Sequence, residues 1–315
     1  MGSRRAKPRR ALAGRRGRPE LTVSSRKYRV HWVRLLALAL VVGAVGVGGF
    51  TAVRGLRIAR GLVHPACLPV TRPSGPDALT DLEEVSFPAA GRQLRGWYRP
   101  SRDGTAVVLV HGFADNRTRL LFEARVLAGS GHGVLLFDLH GQGESEGDAI
   151  GWGDSEREDV RAALAFVRAR PDVTPGRVGL FGFSLGGTTA LLVAQEDPRV
   201  KAVAVAGAFP DLAGDMGSHY GLSTWAVLWG LRRAGIDVGA VRPVDGMCRL
   251  EGRPLLLING GSDPDGPLKK DGSLYRAACE PRRQWVVPEA AHGEYAQKDP
   301  EGYARHLREF FDPAL

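Results

Sequence analysis

Hydrophobic and polar positions follow three different rhythms along this chain. Residues 35–53, LLALALVVGAVGVGGFTAV, form an unbroken apolar run without a charge. At ~1.5 Å per residue this run reaches roughly 28 Å as a helix, close to the thickness of a bilayer core. It is apolar on every side, so it predicts a membrane-spanning helix and not an amphipathic one. Past residue 80 the rhythm changes to short apolar runs. Residues 106–110 (AVVLV), 133–137 (GVLLF) and 178–181 read as strands covered on both faces. Residues 200–205, 254–258 and 284–287 read as three more, and 84–87 with 93–98 as an antiparallel pair turning at Gly91. Between them lie segments with helical spacing: 120–128, 154–168 (Val160, Ala163, Leu164, Val167), the stretch from Leu185 (Ala190, Leu191, Val193, Ala194), and 302–311. Strands alternating with helices predict an α/β domain over 81–315, a mostly parallel twisted sheet with helices on both faces.

Charge sharpens this division. The net charge is +9, yet residues 1–60 hold 15 Lys and Arg against the single acid Glu20, a net of +14. The remainder holds 28 basic and 33 acidic residues, a net of −5. The basicity therefore belongs to the N-terminal arm. A nucleic-acid reader needs a basic face on the fold itself, and the domain has no such excess. Residues 1–34 read as a disordered, cytoplasmic basic arm, 35–53 as the membrane helix, and 54–80 as a linker whose later part is rich in Pro and Gly. Twelve Lys and Arg precede the span and three (Arg54, Arg57, Arg60) follow it. That asymmetry places the N-terminus in the cytoplasm and the domain outside, with the arm against anionic lipid heads. A retained anchor is favoured over a cleaved signal, because a cut after Ala52 would leave the large Phe50 three residues from the scissile bond.

Cysteine contributes little. Cys67, Cys248 and Cys279 are too few and too scattered for a metal cluster or disulfide framework, and read first as small buried hydrophobes. A bridge between Cys248 and Cys279 stays open for a domain outside the cell.

Candidate chemistry gathers at predicted strand ends, where open parallel sheets collect functional groups. Strand 178–181 runs into Gly182-Phe183-Ser184-Leu185-Gly186, a Gly-x-Ser-x-Gly turn leading to a helix. Such a turn strains the serine backbone and needs minimal flanking side chains. Asp263 follows strand 254–258 and His292 follows strand 284–287. A serine hydroxyl is a weak nucleophile that needs a base. A histidine can take its proton and return it, and a carboxylate can fix the imidazole tautomer. Ser184, Asp263 and His292 are therefore the candidate nucleophile, acid and base. Asp265 and Asp211 compete for the acid, and His111, His132, His140, His219 and His306 for the base. The backbone N–H groups of Phe113 and Leu185 are candidate oxyanion donors.

These residues carry a resemblance. His111-Gly112-Phe113, Asp138 with Gly141-x-Gly143-x-Ser145, Gly182 to Gly187, Gly260-x-x-Asp263 and His292 stand in the order of the α/β-hydrolase superfamily. The basic arm and single span resemble its membrane-anchored, Bem46-like or serine-aminopeptidase-like branch. The resemblance implies an α/β-hydrolase fold, a Ser–His–Asp triad and no cofactor. It also implies loop-shaping roles for His111 and Asp138, and a short cap insertion at about 209–250. His140 stands where relatives commonly carry arginine. The cap holds Met216, Tyr220, Leu222, Trp225, Leu228, Trp229 and Leu231, and the 222/225/229 and 225/228/229 spacings suit one helix face, which reads as packing against the sheet or as an apolar lid over the acyl pocket. The expected activity is cleavage of a small or medium carboxylic ester by an anchored serine hydrolase. A serine aminopeptidase-like peptidase and a catalytically idle surface binder are the alternatives. The peptidase needs an acidic anchor for a substrate amine, and the sequence places none. No nucleic acid and no obligate protein partner are expected.

Overall fold

The computed structural model describes residues 25–66, 68–74, 79, 81–263 and 273–315. They fall in two units, Met1–Gly49 and Phe50–Leu315. Helix α1 (Ser25–Val63) runs from the first unit into the second. Its stretch from Arg29 is the one described helix long and apolar enough to cross a membrane. In the first unit its side chains, such as Trp32, Leu40 and Val45, are exposed.

Two boundaries read from the sequence shift. The helix already begins at Ser25, inside the segment read as a disordered arm, because a long apolar helix carries its flanks along once nucleated. It also continues to Val63, so residues 54–63 are not linker. Thr51, Ala59, Leu62 and Val63 are buried, while Arg54, Arg57 and Arg60 face out. A Cβ on Gly55 would sit 2.5 Å from the Ala226 Cβ, and one on Gly230 would sit 2.5 Å from the Ala59 Cβ. Small residues four apart on each helix thus let the backbones touch.

The second unit is built on an eight-stranded sheet of order β1-β2-β4-β3-β5-β6-β7-β8. Strands β1 (Glu83–Ala89) and β2 (Arg92–Arg99) form an antiparallel edge, and β2 also pairs antiparallel with β4 (Gly133–Phe137). The others, β3 (Ala106–Val110), β5 (Val178–Phe183), β6 (Val200–Ala206), β7 (Leu255–Gly260) and β8 (Arg282–Val287), extend it in parallel. All eight predicted strands are present. β3 shows why its sequence lacks alternation. Val108 and Val110 enter one core layer with Val160, Leu164 and Val167 of α3 (Glu156–Arg168) and Leu191 of α4 (Leu185–Glu196). Val107 and Leu109 enter the opposite layer with Leu127 of α2 (Leu121–Ser130) and Tyr303, Leu307 and Phe311 of α7 (Pro300–Phe311). Each such side chain contributes about 1.5–3 kcal/mol by leaving water.

A third apolar cluster lies beyond the sheet. It joins Leu62 and Val63 of α1 to Ile150, Trp152 and the cap helices α5 (Leu212–Tyr220) and α6 (Thr224–Arg233). Of the two readings of the cap face, packing against the sheet fails for Leu222, Trp225 and Trp229, while Leu228 packs in part against the third cluster. Leu222, Trp225 and Trp229 are 78%, 56% and 48% exposed, whereas Ala226, Val227 and Leu231 are buried. Periodicity identified an apolar face, but the close approach of α1 selected the small-residue face for packing. Cys248 and Cys279 form a disulfide, and Cys248 is exposed, so neither acts as a lone buried hydrophobe. Cys67 lies outside the described residues.

Candidate active site

Strand β5 ends at Phe183 and α4 begins at Leu185, leaving Ser184 alone to make the turn. Its backbone has φ 52° and ψ −118°, a region that side chains rarely adopt. The surrounding structure holds it there. Its N–H donates to Ala206 O at 2.8 Å, and its carbonyl accepts from Thr188 N–H at 3.0 Å. The turn closes so tightly that a Cβ on Gly186 would collide with the carbonyl oxygens of Val110 and His111, and one on Gly182 with the carbonyl of Gly186. The two glycines of the pentapeptide are therefore steric requirements of this turn.

The ends of β7 and β8 bring the partners. His292 Nε2 lies 3.0 Å from Ser184 Oγ, and His292 Nδ1 lies 2.9 Å from Asp263 Oδ2. Because the carboxylate only accepts, Nδ1–H donates to it, and Nε2 is left to accept from the serine hydroxyl. Asp263 is 2% exposed; the imidazole is half-open to solvent, and the Phe183 ring lies tilted beside it at 5.1 Å. Beneath them, burial, with the Asp263 carboxylate second, pushes the Tyr295 hydroxyl upward and keeps it neutral.

Asp211, His111, His132, His140 and His306 are engaged elsewhere, while His219 lines the cavity that opens at Ser184. Asp211 caps α5, accepting from Gly214 N–H at 2.7 Å, and faces Arg242 at 3.6 Å. Asp265 lies outside the described residues. His111 is buried; its Nδ1–H donates to Gly112 O at 2.8 Å, and its Nε2 accepts from Leu139 N–H at 3.0 Å. Asp138 accepts from the N–H groups of Arg117 and Glu144, at 2.8 Å each. Both shape loops below the serine. His132 contacts Asp312, and His306 stacks on Trp285. At His140, burial alone would lower the imidazole, but Asp159 at 2.6 Å and Glu156 outweigh it and hold it above its ordinary value.

The two candidate oxyanion donors flank the serine. Leu185 is the first residue of α4, and the loop bearing Phe113 passes close enough that a Cβ on Gly112 would lie 3.3 Å from the Ser184 Cβ. The Phe113 ring stacks on Trp152 at 4.7 Å. The Trp152 indole N–H donates to Leu62 O at 2.9 Å, tying this loop to the last turn of α1.

Ser184 and His292 open into a cavity of about 280 Å³. Leu62, Phe113, Trp152, Phe209, Met216 and Tyr220 supply its apolar wall, and Asp215 and His219 its polar part. Sequence reading had singled out Phe113 through its backbone, and Met216 and Tyr220 as cap residues. It missed Leu62, Trp152 and Asp215. Leu62 is hidden in a run of apolar residues, and Trp152 and Asp215 lie away from any strand end.

The eight-stranded sheet, two-sided helices and serine turn define the α/β-hydrolase fold, and comparison with known proteins agrees. A family model described as X-Pro dipeptidyl-peptidase (S15 family) matches residues 98–245. The uncharacterized protein MT2364 of Mycobacterium tuberculosis is 31% identical over 83% of this chain and 89% of its own length. The uncharacterized protein YfhR of Escherichia coli K12 is 30% identical over 76% of this chain and 84% of its own. Among solved structures, the Pyrococcus furiosus esterase PF2001 superposes with a TM-score of 0.65 at 21% identity, covering 80% of this chain and 98% of that one. The chain has the α/β-hydrolase fold and belongs to one family with the mycobacterial protein MT2364 and the enterobacterial protein YfhR.

Proposed function

We propose that this protein is a membrane-anchored serine hydrolase that cleaves small or medium carboxylic esters through an acyl-enzyme. The observation that carries this reading is the continuous Ser184–His292–Asp263 hydrogen-bond chain at the mouth of a largely apolar cavity. Ser184 Oγ attacks the ester carbonyl as His292 Nε2 takes its proton. Asp263 holds Nδ1–H and stabilises the imidazolium. The N–H groups of Phe113 and Leu185 receive the oxyanion. His292 then protonates the departing alcohol, and the same base activates the water that releases the acid. No step calls for a cofactor. The apolar wall suits the acyl group.

The helix containing residues 35–53 supports anchoring, and the basic excess before it supports a cytoplasmic N-terminus with the domain outside. The Cys248–Cys279 disulfide also favours an oxidising compartment. A fluorophosphonate probe tests the chemistry: wild type labels and Ser184→Ala does not. Folded wild type that resists the probe would leave the idle-binder reading instead.

One observation favours a peptidase as the second reading. The Asp215 carboxylate lines the cavity, which supplies the acidic group that a substrate amine needs. If the substrate is an aminoacyl amide, Asp215→Asn raises its KM and leaves the KM of neutral esters unchanged. Equal effects on both would remove the peptidase reading.

A further inference from the structure

Among the described residues the exposed cap face has no partner within the second unit, and its surroundings say what would cover it. Leu222, Trp225 and Trp229 form one outward stripe, large and apolar, at helical spacing. The α1–α6 contacts pair Gly55 with Ala226 and Ala59 with Gly230, so the two helices run in the same direction. Gly55 lies two residues past the apolar run 35–53, about 3 Å along a helix. Trp225 and Ala226 are adjacent, so the first indole sits beside the chain where the apolar run ends. This follows from covalent continuity, whatever direction the span takes.

The polarity then changes in step. Trp229 lies one turn further along, and the Arg233 guanidinium stands over its ring at 5.2 Å. Arg232, Arg57 and Arg60 are exposed at the same end or beyond. Arg54 stays near the start, its Nη1 3.4 Å from Ser223 Oγ. Leucine and tryptophan come first and arginine next, the order in which a bilayer passes from acyl chain through its interface to anionic headgroups. The headgroup zone adds roughly 5–8 Å on each side of the hydrocarbon core, and four residues of helix, ~6 Å, separate Trp225 from Trp229.

We propose that the Leu222/Trp225/Trp229 face of the cap docks into the interface of the bilayer in which α1 is anchored, with Arg232 and Arg233 meeting anionic lipid heads. The docking rests on the anchoring part of the proposed function and is independent of the chemistry at Ser184.

The test uses the full chain in nanodiscs of mixed phosphatidylcholine and phosphatidylglycerol, with acyl chains brominated near the headgroup. Trp32→Phe removes the tryptophan that flanks the other end of the apolar run. In that background, emission is quenched by the bromolipid, and the quenched fraction is lost in the further variant Trp225→Phe/Trp229→Phe. Both indoles are exposed, so the replacements leave the core intact. If the chain resists carbonate extraction but its quenching is the same with and without the two tryptophans, docking is overturned while the anchor stands. Protection of both indoles from aqueous acrylamide without bromolipid quenching means that a second copy or another protein covers the face, which also overturns it. A chain washed off by carbonate removes the anchor and the docking together.

Discussion

Replacing Asp263 by Asn keeps the volume of the side chain and removes its charge. The carboxylate is 2% exposed and accepts from His292 Nδ1 at 2.9 Å. With charge centres about 4 Å apart and an effective dielectric of about 20, it stabilises the imidazolium by roughly 4 kcal/mol. At 1.36 kcal/mol per decade this is about a thousandfold in kcat. Solvent at the half-open imidazole reduces that figure. A second effect restores it: an amide can present its NH2 to Nδ1, which reverses the tautomer and leaves Nε2 protonated and unable to act as base. The expected loss in kcat is about 10³–10⁴-fold with little change in KM. Turnover of a p-nitrophenyl ester measures it, and circular dichroism checks the fold. An Asp263→Asn variant within tenfold of wild type would refute the assignment. Asp211→Asn, whose partners are Gly214 and Arg242, should leave kcat unchanged, and Asp265→Asn completes the comparison.

Three other outcomes are expected. His140 is held above its ordinary value when folded, so its contribution is complete below the unfolded pKa near 6.5 and is lost as pH rises through the higher folded value; thermal melts from about pH 6 to 9 should decline. His140→Gln should flatten that decline, and an unchanged slope would assign it to other groups. The Cys248–Cys279 bridge closes a loop with a sequence separation of 31, and losing it through Cys248→Ser/Cys279→Ser should cost about 3–4 kcal/mol in urea unfolding; no cost would mean that the loop is equally restrained without it. Gly230→Leu drives a side chain into Ala59 and should lower stability by about 1–3 kcal/mol, read as a fall in melting temperature; an unaltered melt would mean that the cap does not pack on α1.

Much of the sheet and of the site could be read from the chain because both depend on local pattern. AVVLV and GVLLF lack alternation because both faces of their strands are buried, and that leaves its mark within five residues. Ser184, Asp263 and His292 were legible because each follows such a run directly, and parallel strands deliver their carboxyl ends to one edge. Residues that act through distant neighbours could not be found in this way. Leu62 lines the cavity only because α1 continues past its apolar run and meets Trp152, 90 residues later. Asp215 lines that cavity only because α5 is folded over the serine. The cap shows the difference most plainly. Spacing alone established that Leu222, Trp225 and Trp229 share a face. Whether that face turns inward depends on which surface of α6 lets another helix approach, and Gly55 and Ala59 chose Ala226 and Gly230. Periodicity records the shape of an element's surface, whereas its direction is set by the element packed against it, and that partner lies far away in the chain.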